Sequence, residues 1–245
     1  LGAVKKFGYQ TLNTKRDQSW AKIMNMHKQY DVIVSSSKAM RPYFSQAFGY
    51  PEDKFIVCGL PRVDYLKNTV QENRKKVYEL YPELKKEKVV LYVPTFRTYD
   101  EYKIDELIQA FEESDYKLII KIHPRMKIIV DKKYTYDAVT SLELLSIADV
   151  VISDYSAISI EAAILNRPVL LYIYDEERYN KIEGINTNLY EDLKGYVFKE
   201  SEALVHTINK GNYDRNVLRA YREKYVVEQE SATKSLVDAI LKDVK

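Results

Sequence analysis

The sequence predicts an α/β fold in which parallel strands are covered by helices on both faces. Short apolar runs alternate with longer helical patterns along most of the 245 residues. The clearest unit begins at residues 149–161, where an apolar strand, a polar turn and a helix follow one another, and a second apolar run starts at Pro168. Parallel strands this close in sequence need a helical crossover. Strands that are apolar throughout are typical of a sheet buried on both faces.

Each predicted element follows from its local pattern, taken in chain order. Runs rich in Val, Ile, Leu and Tyr predict six strands, at residues 31–34, 54–57, 89–93, 117–122, 149–152 and 168–174. Helical patterns between and after them predict helices at residues 16–29, 38–48, 73–81, 104–113, 142–147, 157–165, 201–208, 213–225 and 231–244. The polar stretch after residue 58 predicts a boundary between two units. Residues 31–37 resemble residues 149–156, which favours two similar halves with a ligand cleft between them.

Composition excludes several classes of protein. The 38 basic and 36 acidic residues nearly balance, so charge gives no reason to expect a nucleic-acid partner. The single cysteine, Cys58, excludes an internal disulfide framework and is expected to be packed in a reducing compartment. No apolar run approaches the roughly 18 residues of a membrane span, which predicts a soluble or membrane-peripheral protein. The 22 tyrosines are scattered, and we interpret them as residue-usage bias.

Polar residues at predicted strand ends are the candidate site residues. Ser153, Asp154 and Ser156 supply capping oxygens beside the amides of the following helix, a combination that suits a phosphate group. His123 leaves the sheet before a rigid proline, where it either serves function or merely caps the strand. Thr95 and Arg97 project from the preceding strand end in this prediction. Arg97 then either grips a phosphate with two contacts or is an ordinary surface charge.

Absent motifs narrow the chemistry. The sequence contains no Gly-x-Gly-x-x-Gly, P-loop, His-Glu-x-x-His, paired Cys-x-x-Cys, Asp-x-Asp or Gly-x-Ser-x-Gly pattern. The dinucleotide fingerprint, the P-loop and the serine-hydrolase elbow are therefore unsupported, and a catalytic metal is not expected. His27 and His206 lie in polar helical patterns and are predicted to be exposed surface residues.

Seven short segments form an ordered set along the chain. They are residues 5–8 (KKFG), 30–36 (YDVIVSS), 47–50 (AFGY), 59–64 (GLPRVD), 93–97 (VPTFR), 121–124 (KIHP) and 153–156 (SDYS). Their order is that found in the CDP-glycerol glycerophosphotransferase family, which the chain resembles from residue 1 to about 237. The resemblance implies a GT-B-like architecture of two Rossmann-like domains. Residues 1–62 would end the first, acceptor-side domain, and residues 63–245 would form the nucleotide-binding domain with its C-terminal helices.

The family chemistry implied by this resemblance is transfer of glycerol phosphate from CDP-glycerol, with CMP leaving and neither metal nor cofactor required. His123 is then the catalytic candidate at the donor phosphate, and Thr95, Arg97, Ser153, Asp154 and Ser156 bind substrate. Glu161 either accepts hydrogen bonds from ribose hydroxyls or occupies a surface or helix-start position. The implied partners are CDP-glycerol or CDP-ribitol and a polyol-phosphate or lipid-linked acceptor of teichoic acid synthesis. The implied location is cytoplasmic, peripheral at the inner face of the membrane.

Two departures from the family pattern leave alternatives open. Ala157 stands where family members often carry a second serine, so either Ser156 suffices or donor preference differs. The family's catalytic histidine is expected just before Leu1, so the chain is expected to be the C-terminal portion of a longer protein with little transfer activity by itself. A CDP-ribitol phosphotransferase, a GT-B glycosyltransferase of capsule synthesis and a non-catalytic nucleotide-binding domain are the other functions considered.

Overall fold

A computed structural model describes residues 2–12, 14–24, 26–99 and 102–243. Within them the helices are α1 Lys15–Ile23, α2 Arg41–Phe48, α3 Pro61–Leu80, α4 Ile104–Ala110, α5 Ser141–Leu145, α6 Ile158–Ile164, α7 Glu176–Ile182, α8 Leu189–Asp192, α9 Ser201–Lys210, α10 Arg215–Tyr225 and α11 Ala232–Asp243. The strands are β1 Ile33–Ser35, β2 Phe55–Val57, β3 Lys88–Tyr92, β4 Tyr116–Ile120, β5 Val150–Ser153, β6 Val169–Tyr172 and β7 Val197–Phe198.

A five-stranded parallel sheet, in the order β4-β3-β5-β6-β7, forms the larger unit. The chain builds outward from β3 in one direction to β4 and then returns to place β5 on the other side. This reversal between β3 and β5 opens a crevice at the carboxyl ends of those strands. The predicted α/β class with parallel sheets between helices is confirmed.

The core lies around the middle of this sheet. Every residue of β5 and β6 is buried, and in β3 only Lys88 is exposed. Helix α6 is also buried on every side, because it packs between the sheet, α3 and α10. Its sequence, rich in isoleucine and alanine, suits a position with no polar face.

Strands β1 and β2 pair in parallel as a separate two-stranded sheet. The C-terminal segment connects this sheet to the rest of the chain. The Val227 amide donates to the Ser36 carbonyl at 2.9 Å, and the Ser37 hydroxyl donates to the Lys224 carbonyl at 2.6 Å. The boundary after residue 62 stays a prediction.

Several sequence predictions were wrong in detail. Helix α3 begins at Pro61 rather than residue 73, since proline at a first helical position starts a helix instead of breaking it. Helix α1 ends at Ile23, and His27 lies beyond it in a left-handed conformation, packed against Phe48 and therefore not exposed in a helix. His206 is helical and exposed, as predicted.

Three elements were missed, namely α7, α8 and β7, all of them short. The predicted end of the last helix at Val244 lies outside the described residues. Among the helices that the structure describes, none is both long and apolar enough to cross a membrane.

Candidate functional site

A cleft of about 870 Å³ opens at the carboxyl ends of β3, β4 and β5. Its walls are the three turns that follow those strands, residues 137–140 before α5 and Ser141, the first residue of α5. Four of the predicted site residues line it together: Thr95, His123, Ser156 and Glu161. The cleft has the size of a small-molecule site and lies at the reversal of strand order, where open α/β sheets bind ligands.

His123 is exposed on the turn after β4. Its Nδ1 accepts a hydrogen bond from the Arg125 amide at 3.2 Å, and its ring lies 5.7 Å from the Phe96 ring, centre to centre. A neutral imidazole whose Nδ1 accepts a hydrogen bond carries its proton on Nε2. This assignment follows from the hydrogen bond and makes Nε2 a donor.

Ser156 lies half-buried at the mouth of the turn after β5. Its hydroxyl oxygen is 3.4 Å from the Ile158 amide, a long contact that leaves the group available for a ligand. The predicted capping is right only for Ser156, which accepts this long bond from the first residue of α6; the N-cap is Ala157, and Ser153 and Asp154 bond to the turn after β3 instead. Helix α6 has only seven residues, so the side chains of the turn matter more than its dipole.

Glu161 is almost fully buried on the first turn of α6 and pairs with Arg62, the second residue of α3. The Arg62 Nε and Nη2 atoms lie 2.8 and 2.7 Å from the same carboxylate oxygen of Glu161. The predicted helix-start position of Glu161 is confirmed, whereas the alternative of a surface position is wrong. Its carboxylate remains at the cleft wall with Arg62 on one side.

Three more cations line the cleft: Lys5, Lys121 and Arg125. Lys5 comes from the N-terminal segment, which forms an antiparallel bridge between Lys5 and Ile185. Lys121 and Arg125 flank His123 in the sequence, and the Lys121 ammonium donates to the Tyr136 carbonyl at 3.3 Å. These three cations were not predicted as site residues. Lys121 and Arg125 could have been predicted, because they lie beside His123 at the end of a strand.

Arg97, Ser153 and Asp154 lie behind the cleft wall and do not project into it. The Arg97 and Asp154 side chains are both fully buried and form an ion pair at 2.9 Å. Neither prediction for Arg97, phosphate contact or surface charge, describes this position. The Ser153 hydroxyl is directed to the Val93 carbonyl at 3.4 Å, within the sheet edge.

Asp154 joins the turns after β3 and β5. Its carboxylate accepts hydrogen bonds from the Thr95 amide at 2.9 and 3.0 Å and from the Thr95 hydroxyl. Thr95 thus lines the cleft with its own polar groups already engaged. Arg97 adds a bond to the Thr95 carbonyl at 2.8 Å, which closes the network within the turn.

Asp175, three residues beyond β6, is the partner that sequence reasoning missed. It pairs with Arg97 through both carboxylate oxygens and accepts hydrogen bonds from the Tyr99 and Tyr155 hydroxyls at 2.8 and 3.0 Å. Burial alone raises the pKa of Asp175, but the bonds from Arg97 and the tyrosines outweigh it and lower that pKa. Burial alone lowers the pKa of Arg97, and the two carboxylates more than reverse this effect.

Four tyrosine rings enclose the Arg97 guanidinium at 5.1–5.8 Å: Tyr102, Tyr155, Tyr174 and Tyr179. Cation–π contact with several rings stabilises a buried guanidinium. For these residues the interpretation of the tyrosines as usage bias was wrong. Within the described part of the chain, no cluster of three His, Cys, Asp or Glu side chains is arranged to hold a metal ion.

Comparisons with known proteins agree with this architecture. The chain is 31% identical over 221 residues to the teichoic acid glycerol-phosphate primase of Bacillus subtilis, an alignment covering 84% of this chain and 57% of that protein. It is 29% identical over 258 residues to the teichoic acid ribitol-phosphate primase of Bacillus spizizenii, covering 96% and 66%. The chain therefore spans between about half and two thirds of the length of these relatives.

The fold also matches a solved structure of the wall teichoic acid polymerase TagF, a histidine-to-asparagine variant soaked with CDPG. The TM-score is 0.75 at 25% identity, and the match covers 98% of this chain and 65% of that one. The GT-B-like arrangement predicted from the sequence is thereby confirmed as the fold. The pattern of the CDP-glycerol:poly(glycerophosphate) glycerophosphotransferase family matches residues 2–242, and the chain belongs to that family.

Proposed function

We propose that the cleft binds CDP-glycerol and that the chain forms the donor side of a glycerophosphotransferase of teichoic acid synthesis. One observation carries the proposal: His123, Ser156 and three cations converge at the carboxyl ends of adjacent parallel strands. A pyrophosphate needs hydrogen-bond donors and positive charge, and the cleft offers both. Membership in the family supports CDP-glycerol as the donor.

The proposed reaction is the one that family membership implies. An acceptor hydroxyl attacks the β-phosphorus, a new P–O bond forms, and the bond to the CMP oxygen breaks with its electron pair leaving on CMP. The protein's task is to orient the two reactants and to stabilise charge on the phosphate oxygens. Lys121, Arg125 and the His123 Nε2–H serve the phosphates. Because Nε2 already carries a proton, His123 stabilises the donor, and a different group takes the acceptor proton.

Some side chains would contact the donor directly, and others would support the wall of the cleft. Ser156 donates to a phosphate oxygen, whereas Glu161 accepts hydrogen bonds from ribose hydroxyls while Arg62 holds its orientation. Thr95, Arg97, Ser153 and Asp154 fix the shape of the wall, and of these four Thr95 alone lines the cleft. Their assignment as direct substrate contacts is therefore replaced by a positioning role.

The alanine variants His123→Ala and Ser156→Ala test the donor site. Each should weaken CDP-glycerol binding about ten- to a hundredfold, since a hydrogen bond to a charged group contributes roughly 1.5–3 kcal/mol. Isothermal titration calorimetry measures the affinity, and His206→Ala, an exposed helical histidine, is the matched control. Unchanged affinity in both variants would remove these residues from the site.

CDP-ribitol is the second candidate donor, because the ribitol-phosphate primase is nearly as similar to the chain as the glycerol-phosphate primase. Titrating CDP-glycerol, CDP-ribitol and a UDP-sugar against the same preparation separates the candidates. Tighter binding of the UDP-sugar would favour a glycosyltransferase over a polyol phosphotransferase.

We also propose a peripheral contact with an anionic membrane, where a lipid-linked acceptor would be presented. Trp20, Ile23 and Met24 are 55%, 68% and 73% exposed on and just after α1, and Lys15 and Lys22 lie on the same helix. An exposed aromatic and aliphatic surface next to lysines suits a bilayer interface. Trp20 is the only tryptophan, so a blue shift of its emission with phosphatidylglycerol vesicles reports insertion. No shift with these vesicles would contradict the contact.

A further inference from the structure

A second cavity, of about 730 Å³, lies at the amino end of β6, whereas the donor cleft lies at the carboxyl ends of the strands. It is bordered by the turn after α6, which leads through Pro168 into the amino end of β6, and by the N-terminal half of α10. The two cavities thus lie toward opposite ends of α6, whose seven residues span about 10 Å at 1.5 Å per helical residue. The donor site described above makes no use of this second cavity.

The second cavity is lined by basic and amide side chains. Four arginines and three asparagines belong to its lining, which contains no aspartate or glutamate: Arg167, Arg215, Arg219, Arg222, Asn166, Asn212 and Asn216. Four like charges around one cavity repel one another unless an anion joins them. Arginine is also the side chain best suited to bind a phosphate with two parallel hydrogen bonds.

Part of this binding capacity is unused within the described part of the chain. Arg215 has no ion pair there, whereas Arg167 donates through Nη2 to the Ser146 carbonyl at 2.9 Å and its buried Nε has no hydrogen-bond partner. Burial and the neighbouring Arg74 lower the pKa of Arg167, against an opposite effect of Asp149. Arg219 and Arg222 lie 3.9 and 2.9 Å from Glu223 and Glu228, two carboxylates outside the lining.

The arginines of α10 are spaced for an extended ligand. Arg215, Arg219 and Arg222 share one face of the helix, at spacings of four and three residues, and span about 10 Å. Asn166 is fixed in a left-handed turn and accepts a hydrogen bond from Arg222, so the far wall is also ordered. A single phosphate would engage one or two of these arginines, whereas a row of this length matches successive charges on a chain.

We propose that the second cavity binds the phosphodiester chain of a polyol-phosphate polymer. The arginines contact successive phosphates, and the asparagine amides, which both donate and accept, contact the polyol hydroxyls between them. The inference deepens the proposed function and rests on it, since that function supplies the polymer as acceptor or product. The chain would then hold its polymer some distance from the transfer site.

The double variant Arg215→Gln/Arg219→Gln tests the second cavity, because both side chains are exposed and their loss leaves the core untouched. The probe is a synthetic glycerol-phosphate oligomer, and affinity is measured over a range of salt concentrations. Wild-type affinity should fall steeply with salt, and the variant should bind at least tenfold more weakly with a log–log salt slope reduced by roughly 1 to 1.5. This estimate takes each lost phosphate contact at about 0.7, as for single-stranded polyanions.

The control Lys85→Gln/Lys86→Gln removes the same charge from two exposed lysines outside the lining and should bind as wild type does. CDP-glycerol affinity is measured on every variant and should not change, which separates a failure here from a failure of the donor site. An unchanged oligomer affinity, or an equal loss in the control, overturns the proposal. A loss seen with phosphatidylglycerol vesicles and absent with the soluble oligomer also overturns it, in favour of a lipid surface.

Discussion

The carboxylate of Asp154 accepts hydrogen bonds from the Thr95 amide and hydroxyl and pairs with the buried guanidinium of Arg97. Two turns that would otherwise be independent loops are held in one arrangement by these bonds. The desolvation of Arg97 is offset by Asp154, Asp175 and the surrounding tyrosines. Thr95, Arg97, Asp154 and Asp175 are joined by hydrogen bonds, and a paired polar network of this kind rigidifies its surroundings, here directly behind the candidate cleft.

Asp154→Asn should destabilise the fold by about 1–3 kcal/mol, because an amide offers one acceptor oxygen to the Thr95 and Arg97 donors and leaves buried groups unpaired, although Arg97 keeps its pair with Asp175. Urea unfolding measures the change in the free energy of unfolding. Donor affinity should fall as well, since Thr95 and the turn after β3 lose their anchor.

Asp137→Asn is the matched control, an exposed carboxylate at the cleft rim. It should leave the free energy of unfolding within about 0.5 kcal/mol of wild type. If Asp154→Asn unfolds at the wild-type urea concentration, the network does not stabilise the fold as argued here.

Whether a polar residue at a strand end faces the ligand or the interior could not be predicted from the sequence. Thr95, His123, Ser156 and Glu161 were correctly placed at one edge of the sheet because parallel strands share that edge. Arg97 also follows the carboxyl end of a strand, but it is buried against Asp175, which is 78 positions away in the chain. The burial of such a pair is a tertiary property that no local pattern carries.

Among the helices, α11 is attached through its first turn. The Asp64 carboxylate on α3 accepts hydrogen bonds from the Ala232 and Thr233 amides at 3.0 and 2.8 Å. Gly59 lies beneath the same turn, where an added Cβ would come within 2.6 Å of the Ala232 Cβ. The first turn of α11 therefore packs on residues 59–64. These residues include the start of α3, which the sequence prediction placed twelve residues too late.

The hydrogen bonds to Thr233 and Ala232 lower the pKa of Asp64. A carboxyl whose pKa is lower in the folded state stabilises most above its unfolded pKa, about 3.9, and the contribution is lost as pH falls through the folded value. Amide hydrogen exchange in α11 should consequently speed up in wild type below about pH 4, after correction for intrinsic exchange rates.

Asp64→Ala should remove the cap at every pH and lower the protection of α11 by about 1 kcal/mol at neutral pH. Asp64→Asn keeps an acceptor oxygen without the titratable charge. It should retain most of the protection at neutral pH and lose the acid dependence. Equal protection of α11 in wild type and Asp64→Ala would show that packing on Gly59 alone holds this helix.

The sequence predicted the strands that are continuously buried. It did not predict elements that are too short to show a repeating pattern of apolar residues. All six predicted strands are present. Short runs of apolar residues are typical of strands buried on both faces of a sheet. β7 contains only Val197 and Phe198, and α8 only four residues. Their positions depend on docking against β6 and α10 rather than on local preference.

The two sheets of the chain differ in size and therefore in expected stability. The large sheet has five strands and a core that continues through α6, whereas β1 and β2 are three residues each. A two-stranded sheet is marginal without packing support. Its connections to the Lys224–Val227 segment are hydrogen bonds of the C-terminal region, so its order depends on α10 and α11 remaining docked.

Hydrogen exchange across the whole chain should accordingly show two levels of protection. Amides of β1 and β2 should exchange through a partial opening that requires less free energy than the global unfolding that exposes β5 and β6. Mass spectrometry of peptides covering residues 31–37 and 149–156, followed over time at neutral pH, measures both. On the proposed function, CDP-glycerol at a hundred times its dissociation constant should add about 2.7 kcal/mol to the protection of β3 and β5, because a ligand of the folded cleft stabilises only the folded state. The β1–β2 peptides should change much less, since their partial opening leaves the donor cleft formed. Equal stabilisation of both sheets would instead mean that the donor bridges them, and that the two units open and close as one.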